Sequence, residues 1–346
     1  MRKLLLVLSI VFLLITPVRA SELEPPQVPE SAEDLMPAQI ETFGQGLWKV
    51  IRNAVRHLQP EIASACKLCV SVFAVIMLTS VLQGVTKNGN HVLELVSALG
   101  IAGALIKSSN SMIHLAAQTV TELSEYGKLL LPVLTAALAA QGGTTTSASL
   151  YVGTMVFDTV ICAAIANLMV PLSTLFLILA IANSAIGDEM LKKIRDFLKW
   201  LMTWALKIAL YIFTGYMGIT GVVSGTADAA AMKVTKMTIS GMVPVVGGIL
   251  SDASESLIVG AEAVKNAAGV YGILAIIAVW ILPFLKIGIQ YLLLKGTGAL
   301  CSVFGIKRAS ELVQDFSAAM GLLLAMTGSV CALQLISTVC FMKGVS

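Results

Sequence analysis

The sequence predicts an all-α, polytopic membrane protein of about six to eight transmembrane helices, interrupted by one Pro/Gly-broken segment. Three observations lead there. The chain has 346 residues, of which 57% are hydrophobic and only 12% charged, with a mean hydropathy of +0.88. A soluble domain spends about a quarter of its residues on charge, so this allowance cannot cover a globule of such size. The apolar residues also fall into long runs, and the segments between several of them carry clustered Lys and Arg. The net charge of +3 is small, and the basic residues are spread over several segments rather than gathered on one face. That excludes the clustered basic face that nucleic-acid binding requires.

Residues 1–20 read as a signal peptide. Arg2 and Lys3 precede the apolar run LLLVLSIVFLLI, and Pro17 and Val18-Arg19-Ala20 follow it. A basic start, a short apolar stretch and a small residue at the end favour cleavage between Ala20 and Ser21. The competing assignment, an uncleaved first span, needs a run of roughly 20 residues. Residues 21–65 form an extracytoplasmic leader. Its first part is interrupted by Pro25, Pro26, Pro29 and Pro37. Its second part, 47–60, spaces Leu47, Val50, Ile51, Ala54, Val55 and Leu58 on one helical face, with Lys49, Arg52 and Arg56 opposite. Such a helix suits a membrane surface or a partner groove.

Residues 66–224 form the membrane bundle, with spans at about 66–84, 92–106, 128–141, 149–170, 172–187 and 200–224. Residues 270–346 add spans at about 270–294 and 319–342. Three of these segments are too short to cross a core of roughly 30 Å unaided, so they are re-entrant, tilted or fused with neighbours. An exported leader and strict alternation put 188–199 and 295–318 on the cytoplasmic side. These hold Lys192, Lys193, Arg195 and Lys199, and Lys295, Lys307 and Arg308, respectively. Lys233, Lys236 and Lys265 run against that rule, in a long external segment that weighs less in it.

No catalytic motif is present. There is no HExxH and no GxSxG, GALIKS at 103–108 lacks the glycine a phosphate loop needs, and AIGD at 185–188 fails as a GxGD motif. His57, His91 and His114 stand apart. The expectation is a protein that is not an enzyme and has no metal or cofactor. Of six cysteines, four lie in or beside apolar runs, and Cys66 and Cys69 sit one turn apart at a helix start, without the βαβ context of a redox pair. Asp158 and Lys286 are charged residues inside spans, as are Glu94 and Lys207. They serve either a proton or substrate path or, alternatively, a structural hydrogen bond for Asp158 and snorkelling for the lysines. Whether Asp158 and Lys286 pair is open at this stage. Glycine- and alanine-rich stretches such as 215–225 and 296–300 allow close helix approach.

The broken segment, 225–269, centres on SGMVPVVGGILSDASE at 240–255. Pro244 removes an amide donor and pushes Val243 out of helical geometry. Gly247 and Gly248 make continuation optional, and Asp252 with Glu255 has capping-box spacing. One helix is therefore expected to end near Met242 and another to run from about Ala253 to Gly269. At membrane depth such a break lines a cavity, as in transporters; outside it, the following helix docks a partner. LLLPVLTAALAAQGG at 129–143 is a faint echo of the same Pro-then-Gly-pair pattern.

The run GYMGITGVVSGTADAAAMKVTKMTISGMVPVVGGILSDASESLIVGAEAVKNAAGVYGI at 215–273 resembles the stage III sporulation protein AE family. So do PFLK at 283–286 and FGIKRASELVQDF at 304–316. The resemblance implies a polytopic protein of an endospore-forming bacterium, made in the mother cell. It implies membership of a multi-protein channel or feeding apparatus that joins mother cell to engulfed forespore and is needed for late forespore gene expression. The partners so implied are other membrane subunits of that complex, with the lipid bilayer and further copies of the chain beside them. The family supplies no catalytic residues to carry over. The alternative function is a stand-alone secondary transporter working through Asp158 and Lys286.

Overall fold

The computed structural model describes residues 26–37, 42–85, 90–242, 247–304 and 306–343, with side chains described outside 85–91, 221–227 and 229–258. Ala20, Ser21 and Pro244 lie outside the described residues. Everything regular among the described residues is helical. The order is α1 (Glu30–Glu33), α2 (Phe43–His57), α3 (Gln59–Val85), α4 (Asn90–Ala140), α5 (Thr144–Ala164), a π-helical turn (Ile165–Met169), α6 (Val170–Ile186), α7 (Glu189–Met242), α8 (Gly247–Val303) and α9 (Lys307–Lys343).

Six stretches are long and apolar enough to cross a membrane: Gln59–Gly84, Val92–Ala140, Thr144–Ile186, Glu189–Thr220, Val259–Val303 and Lys307–Lys343. The protein is therefore an all-α, multi-pass membrane protein. The short spans expected from sequence are halves of longer helices. Those at 92–106 and 128–141 belong to one 51-residue helix, α4. The sequence between them, KSSNSMIHLAAQTVTELSEYG, has no proline, and it holds Ile113, Ala116, Val120 and Leu123 buried at helical spacing. It reads as a gap only when judged by mean hydropathy. The spans at 149–170 and 172–187 join through the π turn, where an added residue makes room for Pro171, which lacks a donor and crowds the carbonyl four residues back.

The broken segment also differs from expectation. Helix α7 ends at Met242 and α8 starts at Gly247, so Gly247 and Gly248 open the helix, and Asp252 and Glu255 lie inside it rather than at its cap. Glycine weakens a helix by about 1 kcal/mol but does not forbid it. Nor does α8 stop at Gly269; it continues to Val303. Gly269 is a packing position, because a Cβ there would overlap the Met342 side chain.

Helix α9 is the axis of the bundle. Its buried face runs from Ala309 to Phe341 and includes Leu312, Phe316, Met320, Leu323, Met326, Val330 and Leu333. Partner pairs fix how the other helices lie along it. Gly298 and Tyr291 of α8 meet Ser310 and Ser317, and Gly269 meets Met342, so α8 and α9 are antiparallel. Ser184 donates to the Arg308 carbonyl at 3.2 Å while Thr154 meets Ser337 at 2.9 Å, which sets α5–α6 antiparallel to α9. Arg195 of α7 reaches Asp315. The bundle from Arg308 to Met342 is about 50 Å tall.

One end gathers the two basic segments. Helix α6 ends at Gly187, whose φ of 77° is left-handed and whose Cα packs against the Arg308 guanidinium. Thus 188–199 and 307–308 share an end of the molecule. At the other end the Asp228 carboxylate of α7 accepts from the backbone amides of Thr145 and Thr146, at 3.1 and 2.8 Å. It caps the first turn of α5 from 82 residues away. Burial works to raise the Asp228 pKa, but the hydrogen bonds from Thr146 and Thr145 outweigh it, and the net shift is downward.

Candidate functional site: two polar zones at mid-bundle

The first zone is sealed. Asp158, on α5, is 1% exposed. Ser124 of α4 donates a short hydrogen bond to one carboxylate oxygen. Gln334 Nε2 of α9 donates to the other at 2.8 Å, and the Cys162 thiol approaches it at 3.7 Å. One turn along, the Thr154 and Ser337 hydroxyls hydrogen-bond at 2.9 Å. Gly127 is what lets the Gln334 amide reach across, since a Cβ at 127 would overlap it. Gly153 serves the Tyr216 ring in the same way, and the Tyr216 hydroxyl donates to the Ser149 carbonyl at 3.1 Å. Four helices are thus tied through one carboxylate and its neighbours. Both oxygens of Asp158 accept a hydrogen bond, which a buried carboxyl group requires.

The second zone is open. Lys286 of α8 pairs with Glu61 of α3 at 2.9 Å, and both side chains remain partly exposed. Beside them Gln290 Nε2 donates to Ser108 Oγ at 2.7 Å. These groups and Lys107 border a cavity of about 470 Å³ between α3, α4 and α8. From there a polar face climbs the outside of α4. Lys107, Asn110, Ser111, His114, Gln118, Thr121, Glu125 and Lys128 are all exposed, at the three- and four-residue spacing of one helix face. The face is about 30 Å long. Glu122 flanks it, accepting from Gln118 at 2.7 Å and from Ser31 of α1 at 2.6 Å.

Depth makes this face unusual. Ser108 lies level with Gln290, which is next to Tyr291 and hence to Ser317, and Gly127 lies level with Gln334. The polar face therefore occupies the middle of a bundle about 50 Å tall. A hydrocarbon slab of roughly 30 Å, set anywhere along that axis, encloses its central part around His114. By contrast, the outer faces of α5 and α6 at the same depths present Val152, Val156, Val160, Leu168, Leu175 and Ile178. That is a lipid-facing surface.

Asp158 and Lys286, whose pairing the sequence left open, are not brought together: each has its own partners on different helices. Glu94 pairs with Arg308 at 2.8 Å. No group of three or more His, Cys, Asp or Glu that would hold a metal occurs among the described residues. The polar face of α4 was missed by sequence reasoning. Its signal was available, as a run of polar residues whose apolar members keep the period of a helix.

The model of the stage III sporulation protein AE family matches residues 32–344. The chain belongs to that family. Its members are sporulation proteins by name, and this one is built to span a membrane several times. A curated relative, stage III sporulation protein AE of Bacillus subtilis (strain 168), is 24% identical over 182 residues. The match covers 53% of this chain and 46% of the relative, so the chain aligns with about half of that protein's length. No solved structure matches.

Proposed function

We propose that this protein is a membrane subunit of a channel, or feeding apparatus, linking mother cell to forespore during sporulation. It resides in the mother-cell membrane around the forespore, with its N-terminal leader exported. The polar face of α4 lines the water-filled path. Other membrane subunits of the complex, or further copies of this chain, close the rest of the wall. The protein contributes a surface rather than a reaction, and the Pro244 region joins two long helices that meet neighbours.

The observation that carries this reading is the depth of the α4 face. A polar group moved from water into hydrocarbon without a partner costs on the order of 2–7 kcal/mol. Asn110, His114 and Gln118, exposed between the charged ends of the face at Lys107 and Lys128, would carry such penalties against lipid. Water or a polar partner removes them. Family membership supplies the sporulation context.

The test replaces His114 and Gln118 together by Leu in sporulating cells. The reading predicts normal protein level and membrane insertion with loss of late forespore gene expression. Full sporulation with this greasy face would overturn it. The transporter alternative draws on Asp158, and there Asp158→Asn decides: a scaffold or pore wall still recruits its partners, while a transporter loses flux.

A further inference from the structure

A separate cavity, about 590 Å³, opens between α7, α8 and α9 near the basic end of the bundle. Its mouth and its interior differ in chemistry. At the mouth stand Lys199 of α7 and Lys295 of α8, both exposed, beside Arg195. Arg195 is already neutralised, because it bonds Asp196 at 2.9 Å and Asp315 through its other amino group. The carboxylates of Asp196 and Asp315 border the cavity too, so its lining sets three cations against two anions. Neither lysine forms a salt bridge among the described residues, and Lys295 Nζ instead donates to the Tyr291 hydroxyl at 3.0 Å. Inward, the floor is a strip of α9: Ala318, Gly321 and Ala325, small residues two turns long, flanked by Leu322. Their size is what leaves the groove open. Trp200 and Trp204 stack at 5.8 Å on the same stretch of α7 and are about half exposed, as amphipathic rings are at a headgroup boundary.

We propose that this groove is a binding site for one anionic phospholipid of the leaflet at the basic end. The phosphate and headgroup sit between Lys199 and Lys295, and an acyl chain lies along Ala318, Gly321 and Ala325. Two exposed ammonium groups with no salt bridge among the described residues, at the depth of an aromatic belt, suit a lipid phosphate. The apolar floor, running from there toward the bilayer centre, suits a chain and not a free anion. Arg195 acts by engaging Asp315 and Asp196, the two anions that border the cavity. The site is independent of the α4 face, which lies on other helices.

The experiment is native mass spectrometry of the full chain, purified in detergent and exchanged with phosphatidylglycerol or phosphatidylcholine. The prediction is retained phosphatidylglycerol in preference to phosphatidylcholine, with retention falling about fivefold per lysine in Lys199→Gln and Lys295→Gln. Both side chains are exposed, so the variants should unfold at the parent temperature. Ala325→Leu fills the chain end of the groove two turns from Ala318 without touching a charge, and should lower retention while leaving the lysines in place. Equal retention of the two lipids, unchanged retention in the double lysine variant, or displacement by inorganic phosphate alone would overturn the proposal.

Discussion

Two polar zones lie within the bundle, and they solve opposite problems. Around Asp158 a carboxylate is enclosed by Ser124, Gln334 and Cys162 and is 1% exposed. Around Lys286 and along α4, charges and amides face outward. The first zone spends its polarity on holding helices together, and nothing of it is left for a solute. The second leaves its polarity unspent at a depth where lipid is the default neighbour. The difference teaches that charge inside a membrane bundle is not by itself a sign of transport. What separates a clamp from a pathway is whether the group's partners lie within the same chain.

Four substitutions sharpen that contrast, if stability is read as thermal or denaturant unfolding in detergent. The largest effect is expected for Asp158→Ala. It strips the acceptor from Gln334 and Ser124 in a water-free site, and should cost about 3 kcal/mol. Next comes Asp228→Asn at the far end, which weakens the cap on α5 by about 1 kcal/mol. Because the Asp228 pKa is held down in the folded protein, its contribution is present above the ordinary carboxylate range near pH 4 and is lost as pH falls through the lower folded value. The gap between parent and Asp228→Asn should therefore close on acidification, which a melting series from neutral to strongly acid pH would read. Lys286→Met, at a half-exposed ion pair, should cost about 1 kcal/mol or less. Smallest is the pair His114→Leu and Gln118→Leu, within about 0.5 kcal/mol of the parent, since both side chains are exposed. Function should rank them in a different order, with that last pair among the most harmful. If stability and function rank alike, the distinction between clamp and pathway fails.

Much of the architecture was legible in the residues. Long apolar runs and sparse charge dictate spanning helices, and basic 188–199 and 307–308 do meet at one end. What hydropathy averaging hid was continuity. Residues 107–127 keep an apolar stripe of Ile113, Ala116, Val120 and Leu123 under a polar surface, so their mean looks like a loop while their period is that of a helix. The same averaging concealed the polar face itself. Asp158 stood out at once, but its partners are 34 and 176 residues away in sequence and no local pattern announces them. Gly127 and Gly269 read as breakers or generic small residues, although each marks a helix crossing whose partner is defined only by the fold. The capping-box spacing of Asp252 and Glu255 misled because α8 already runs from Gly247, which places both residues within it.

The most direct measurement is thiol accessibility in sporulating cells, in a variant whose six native cysteines are replaced. Single cysteines at Ser111, His114 and Gln118 are compared with single cysteines at Val156 and Val160. A water-soluble, membrane-impermeant thiol reagent should modify the α4 positions and leave 156 and 160 unmodified. If His114→Cys is as inert as Val160→Cys until detergent is added, the α4 face does not border water.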